Sequence, residues 1–107
     1  MELQYYLKLL EILEVYFGES KYKKLFMEGG CFWLASYLKE RIPGAKLWIN
    51  RNEEHCALYF DNALYDVRGK IPKTNFHEAS EREISFMRKN YVPKFDVKKL
   101  ENYLDFL

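Results

Sequence analysis

The period of the apolar residues changes once along the chain, at Pro43-Gly44, and this change constrains the fold more than any other feature of the sequence. Upstream of it, apolar side chains recur every three or four residues, which is the spacing of a helix face. Downstream of it, short apolar runs are separated by turn-forming residues, which is typical of strands. We therefore expect an α+β domain in which helices pack on a small antiparallel sheet.

Two helices are predicted upstream of this point. The first is scaffold that ends at Gly18. Its apolar stripe consists of Leu3, Leu7, Leu10, Leu13 and Phe17. The second helix runs from Cys31 to Ile42, and because Phe32 and Trp33 lie outside its main stripe, we expect it to be covered on more than one side. Residues 19–28 form either a short helix or a wrapped connection.

Downstream, an antiparallel meander of three strands is predicted over residues 47–49, 55–60 and 63–67, giving a sheet of three or four strands. Asp61-Asn62 suits a two-residue hairpin turn, because Asp and Asn tolerate the left-handed backbone that such turns require.

Flanking helices are predicted towards the C-terminus, after an irregular stretch that ends near Glu78. Ser80, with Glu83 three residues later, has the pattern of a capping box, and Asp96 suits the cap of a last short helix.

The composition indicates one domain over residues 1–107, since 9 Tyr, 8 Phe and 2 Trp supply enough apolar area for one core. A net charge of +1 with both signs interspersed disfavours nucleic acid as a partner.

Charged residues from Glu2 onwards interrupt the first apolar run, so we expect neither a signal peptide nor a membrane span. With two cysteines and no export signal, the expected location is the cytoplasm, where thiols stay reduced.

Cys31, His55 and Asp66 are the candidate catalytic residues. Cys31 follows Gly29-Gly30 at the start of a predicted helix, where free backbone N–H groups and the helix dipole favour the thiolate. The glycines also let a substrate chain approach closely. The alternative, purely structural interpretation of Cys31 is that it is a small apolar residue buried in the core.

The predicted hairpin supplies a base for this thiol. If Asp61-Asn62 forms the turn, paired residues have numbers that sum to 123, and His55 shares a sheet face with Asp66 at roughly 5–8 Å between Cβ atoms. A carboxylate bonded to one imidazole nitrogen orients the ring and leaves the other nitrogen to take the thiol proton. We expect His55, Ala57 and Tyr59 to face the Cys31 helix. Alternatively, Asp66 is an edge carboxylate that pairs with Arg68.

These residues resemble the papain-like cysteine hydrolase superfamily, including its NlpC/P60 and transglutaminase-like branches. The resemblance rests on Gly29-Gly30-Cys31-Phe32-Trp33, on His55-Cys56-Ala57-Leu58-Tyr59 and on Leu64-Tyr65-Asp66-Val67-Arg68-Gly69. The chain looks most like small uncharacterised members from phages and mobile elements. The resemblance implies a papain-like core in which Cys31 is the nucleophile, His55 the base and Asp66 the residue that orients it, acting on an amide or isopeptide bond of a protein or peptide as a peptidase, amidase, deamidase or acyltransferase.

One departure from that superfamily opens a second interpretation. Papain-like enzymes commonly have a Gln a few residues before the Cys, and residues 23–28 contain none, so the oxyanion needs the Cys31 N–H and another donor such as Tyr22 or a Lys. The alternative function is a catalytically silent papain-like scaffold, encoded by a phage, that binds and inhibits a protein of a host defence or regulatory complex.

Cys56 and His77 are the remaining cysteine and histidine of the sequence. Cys56 follows His55 on a strand, so we expect it to point to the opposite face, away from any zinc site with His55. His77 is expected to be exposed, with substrate contact or a substitute base as alternatives. No metal and no organic cofactor is implied. The oligomeric state stays open.

Overall fold

The computed structural model describes residues 2–107, which form five helices and five strands. The helices are α1 (Glu2–Phe17), α2 (Tyr22–Met27), α3 (Gly30–Lys39), α4 (Glu81–Asn90) and α5 (Val97–Phe106). The strands are β1 (Lys46–Asn50), β2 (His55–Phe60), β3 (Ala63–Asp66), β4 (Gly69–Ile71) and β5 (His77–Glu78). They form one open antiparallel sheet in the order β4-β3-β2-β1-β5. The predicted α+β class is confirmed.

The β2-β3 hairpin has the predicted register, with Tyr59 opposite Leu64. Asp61 and Asn62 adopt φ angles of 50° and 59°, the left-handed pair that a tight hairpin turn requires. The sheet exceeds the predicted three or four strands, because β4 and β5 are three and two residues long and too short to show a period of two.

The first helix lies with a different face towards the core than predicted. Tyr6 and Leu13 are fully buried, whereas Leu3 and Leu7 are exposed. The Tyr6 ring packs 5.3 Å from the Tyr65 ring, centroid to centroid. An aromatic ring buries more apolar area than a leucine, which explains why the helix turns Tyr6 rather than Leu3 and Leu7 towards the sheet.

Helix α3 is covered on more than one side, as predicted, although it ends at Lys39 rather than Ile42. The Trp33 indole donates a hydrogen bond to Glu101 of α5 at 2.9 Å and stacks on Tyr37. The C-terminal helices begin as predicted, at the capping box of Ser80 and at the Asp96 cap.

Ala57 and Tyr59 do not face α3 as predicted, whereas His55, at the end of the strand, lies close to Cys31 of that helix. Cys56, Leu58 and Phe60 pack in the core cluster that contains α3, whereas Ala57 and Tyr59 belong to a smaller cluster with Leu64, Ile71, Trp48 and Phe76. Nearly all of β2 is buried, so the alternation of apolar residues did not distinguish its faces. Leu58 lines a small cavity with residues of α3, and the Phe60 ring packs on Tyr6 of α1.

Candidate active site

Cys31 is the second residue of α3 and is a free thiol with 3% of its surface exposed. The helix is preceded by Gly29 at a φ of 94°, a conformation that residues with a side chain rarely adopt. The first N–H groups of a helix have no partner within it, so the sulfur lies at the electropositive end of α3.

His55 and Asp66 form a buried hydrogen bond. The His55 Nε2 atom lies 2.8 Å from Asp66 Oδ2, and the two residues are only 2% and 3% exposed. The β2-β3 register brings them together, since Asp66 ends β3 on the same face as His55. His55 begins β2 at the end of the sheet, where its ring packs edge-on to Phe76 and lies close to the Cys31 thiol. The structure thus brings together all three candidate residues.

The protonated form of His55 is favoured by its neighbours. Burial alone lowers its pKa, but the hydrogen bond with Asp66 and the contact with Cys31 outweigh burial and raise the pKa to about 9. Its Nδ1 atom is buried and makes no hydrogen bond within the part of the chain that the structure describes. Because Asp66 occupies Nε2, Nδ1 is the nitrogen left for the thiol.

Asp66 is held in its ionised form by two cations. Burial raises the pKa of its carboxyl, but the hydrogen bonds from His55 and Arg68 keep that pKa below its ordinary value. The Arg68 backbone N–H donates to Oδ1 at 2.8 Å, and Arg68 Nη2 donates to Oδ2 at 2.6 Å. The pairing with Arg68, considered as an alternative from the sequence, therefore coexists with the bond to His55.

A segment between α4 and α5 covers the start of α3, and we call residues 91–95 the strap. A Cβ atom on Gly29 would lie 2.3 Å from the Val92 carbonyl oxygen, and one on Gly30 would lie 3.1 Å from Phe95 Cε1. The glycines were expected to admit a substrate chain, but the backbone that approaches Gly29 belongs to the protein itself. The candidate site is thereby closed.

Two tyrosines near the site were not found from the sequence. Tyr6 lines a cavity of about 10 Å³ with Cys31, Cys56 and Asp66, and its hydroxyl has no hydrogen-bond partner among residues 2–107. Tyr91 is 8% exposed, and burial together with the charges of Cys31 and Glu54 raises its pKa to about 12. Both reach the site through tertiary contacts, which no local motif reveals.

The structure also places the second cysteine, Cys56, and the second histidine, His77. Cys56 packs in the core cluster that contains α3, whereas its strand neighbour Ala57 belongs to the smaller cluster, so Cys56 lies on the Cys31 side of β2 and lines the same cavity as Cys31. His77 is exposed, as predicted, and its Nε2 atom lies 2.9 Å from Glu83 Oε2.

Residues 2–107 contain no group of three or more His, Cys, Asp or Glu side chains placed to hold a metal ion. Within the same range, no helix combines the length and apolar character needed to cross a membrane.

The buried pair of His55 and Asp66 predicts how stability depends on pH. Folding raises the His55 pKa from 6.5 to about 9, so its contribution is complete below pH 6.5 and is lost as the pH rises through 9. Asp66 has a lowered pKa, so its contribution is present above 3.8 and is lost as the pH falls. We therefore expect the free energy of unfolding, measured with urea, to fall between pH 6.5 and 9.

Two histidine variants test this assignment. His55→Gln is expected to be less stable at every pH and to lose the decline between neutral and alkaline pH. His77→Gln is the matched control, because His77 is exposed, and it is expected to retain the decline. An unchanged decline in His55→Gln would contradict the assignment.

Comparison with models of known protein families identifies the family of this chain. The family model for Phage YunG-like protein matches residues 9–105, a range that includes the three candidate residues. No curated protein and no solved structure matches the chain. The match supports the likeness to small phage proteins and does not extend to papain-like enzymes.

Proposed function

We propose that this chain, which belongs to the phage YunG-like family, is a cysteine hydrolase or acyltransferase that acts on an amide or isopeptide carbonyl of a protein or peptide. The observation that carries the proposal is the buried hydrogen bond between His55 and Asp66, with the Cys31 thiol close to the imidazole at the start of α3. Each of the three residues has a chemical reason for its place: the thiol lies at a helix N-terminus, the imidazole lies beside it, and the carboxylate holds the imidazole.

The proposed reaction starts from protonated His55 beside the Cys31 sulfur. The thiolate attacks the carbonyl carbon, a C–S bond forms and an electron pair moves to the carbonyl oxygen. The C–N bond then breaks, and the amine leaves with the proton from His55. Neutral His55 next takes a proton from water or from an acceptor amine as that group attacks the thioester carbonyl. The C–S bond then breaks, which restores the Cys31 thiolate beside protonated His55.

The oxyanion has one donor at a suitable place, the Cys31 backbone N–H at the start of α3. Tyr22, suggested from the sequence as a second donor, interacts with Glu14 of α1, and burial followed by this contact raises its pKa. Tyr22 is therefore engaged at α1, and the Cys31 N–H is the oxyanion donor in the proposed reaction.

The fold supports the finer relation to papain-like enzymes that the sequence suggested. Helix α3 begins at the nucleophile and packs on an antiparallel sheet, and the base and its carboxylate lie on adjacent strands. This is the arrangement that the resemblance implies. We also propose that residues 1–107 form one papain-like domain, which acts in the cytoplasm and needs no metal or organic cofactor.

Reaction with an activated ester tests the proposal without knowledge of the natural substrate. We expect p-nitrophenyl acetate to acetylate Cys31 near neutral pH, observed as an added acetyl mass on the peptide that contains Cys31. Because hydrolysis follows, the mass should decay while nitrophenol release continues. An acetyl mass that appears equally on Cys56, or only in denaturant, would contradict the proposal.

A second candidate function is favoured by the burial of Cys31. An enzyme needs a thiol that substrate reaches, whereas a silent scaffold tolerates a thiol that is 3% exposed. In this alternative the chain binds and inhibits a host protein through its surface, and the three residues only stabilise the fold. The two functions differ in whether Cys31 is required for the effect of the protein.

A further inference from the structure

We infer that the strap, residues 91–95, occupies the place of an extended peptide ligand at the start of α3 and moves aside when such a peptide reaches Cys31. The inference rests on the proposed function and adds to it the path by which the substrate enters. Its evidence is the packing of the strap against Gly29 and Gly30.

The first observation is that the backbone of the strap runs close to the backbone of Gly29. The Val92 carbonyl oxygen lies 2.3 Å from the position of a Cβ on Gly29, so the strap runs against a glycine that has no side chain to keep it away. Gly29 precedes the nucleophile by two residues. A peptide whose carbonyl is attacked by Cys31 has to pass this same surface, and the strap prevents it from doing so.

The second observation is the shape of the strap. Pro93 follows Val92 and disfavours helical backbone at Val92, and residues 91–93 have no regular secondary structure, whereas residues 94 and 95 form a bend. The part of the strap that crosses Gly29 is therefore a non-helical stretch of backbone, as a bound peptide would present. An extended peptide is the ligand that fits the same surface once the strap has left.

The third observation is how the strap is held. Tyr91 is buried at one end, Val92 is 60% exposed, and Phe95 is half-buried at the other end. The Phe95 ring packs on three aromatic rings, with centroid distances of 5.3 Å to Phe17, 5.1 Å to Phe26 and 5.6 Å to Trp33. The ion pair of Lys94 with Glu28, at 3.6 Å, is exposed and contributes little. Phe95 is thus the main anchor, and its loss should release the strap.

Alkylation of the two cysteines by iodoacetamide tests the inference. The strap packs on Gly29 and Gly30, directly before Cys31, whereas Cys56 is buried on β2. We therefore expect opening of the strap to expose the Cys31 thiol and global unfolding to expose both thiols. We expect Phe95→Ala to raise the alkylation rate of Cys31 by roughly tenfold or more, with the rate of Cys56 unchanged. Phe95→Leu, which preserves more of the packing, should give a smaller rise with the same selectivity.

Phe60→Ala is the matched control, since Phe60 is a buried ring whose aromatic neighbours are Tyr6 and Tyr65. It should raise the alkylation rates of both cysteines together. The inference is overturned if both Phe95 variants leave the Cys31 rate unchanged, or raise the two rates in parallel as Phe60→Ala does.

A peptide with the sequence of residues 90–96 tests the class of ligand. Added in excess to Phe95→Ala, it should occupy the vacated surface and slow the alkylation of Cys31, whereas a scrambled peptide should not. Equal effects of the two peptides would overturn the peptide assignment. These readouts need no turnover, so strap opening without acetylation of Cys31 would refute the proposed function and leave the peptide surface standing.

Discussion

Replacing Cys31 with alanine is expected to abolish acetylation by p-nitrophenyl acetate and all turnover of a natural amide. The thioester forms on the Cys31 sulfur, and no other group of the site replaces this bond. The change removes one buried atom beside a small cavity, so we expect the protein to stay folded and to lose about 1 kcal/mol of unfolding free energy. Mass spectrometry measures the adduct, and circular dichroism with urea measures the fold.

Cys56→Ala is the matched control for this experiment. It removes the same atom from a cysteine that lines the same cavity and has no histidine partner in the proposed mechanism. It should keep the acetylation of Cys31, so a loss in Cys31→Ala alone separates chemistry from packing. A folded Cys31→Ala variant that retains the full biological effect of the protein would instead support the silent scaffold.

The relation between His55 and Asp66 could be predicted because a short turn fixes it. Asp61-Asn62 sets the register of the hairpin, and the register places the two side chains on one face. The face that β2 turns to α3 could not be predicted in the same way. Both faces of the strand are buried, so the strand lacks the polar positions that mark a solvent side.

The closure of the site depends on contacts between distant parts of the chain. Gly29 and Gly30 indicated a close backbone approach, but the sequence did not reveal that the approaching segment is the strap more than sixty residues later. The burial of Tyr6 was not predicted for a similar reason. In α1, the face that carries Tyr6 and the face that carries Leu3 and Leu7 are both apolar, so the periodicity did not show which of them packs on the core. Local periodicity measures which residues favour burial, and tertiary packing decides among them.

The loss of the base is the second large effect that we expect. His55→Ala should lower the rate of Cys31 acetylation by roughly 10²–10⁴, since no group then carries the thiol proton or returns it to the leaving group. Asp66→Asn should retain more activity than His55→Ala, because the imidazole remains and only its orientation and the stabilisation of its cation are reduced. His77→Ala is the control for loss of a histidine as such and should react like the wild type.

Added imidazole distinguishes a chemical role of His55 from a structural one. Truncation at a residue that is 2% exposed leaves a cavity bordered by Asp66 and Cys31, the two groups that bind the native ring. Imidazole that enters this cavity should restore part of the acetylation rate of His55→Ala in a concentration-dependent way, and it should not affect Cys31→Ala. If imidazole restores the unfolding free energy of His55→Ala but not its acetylation rate, His55 is a packing residue and the proposed mechanism is wrong.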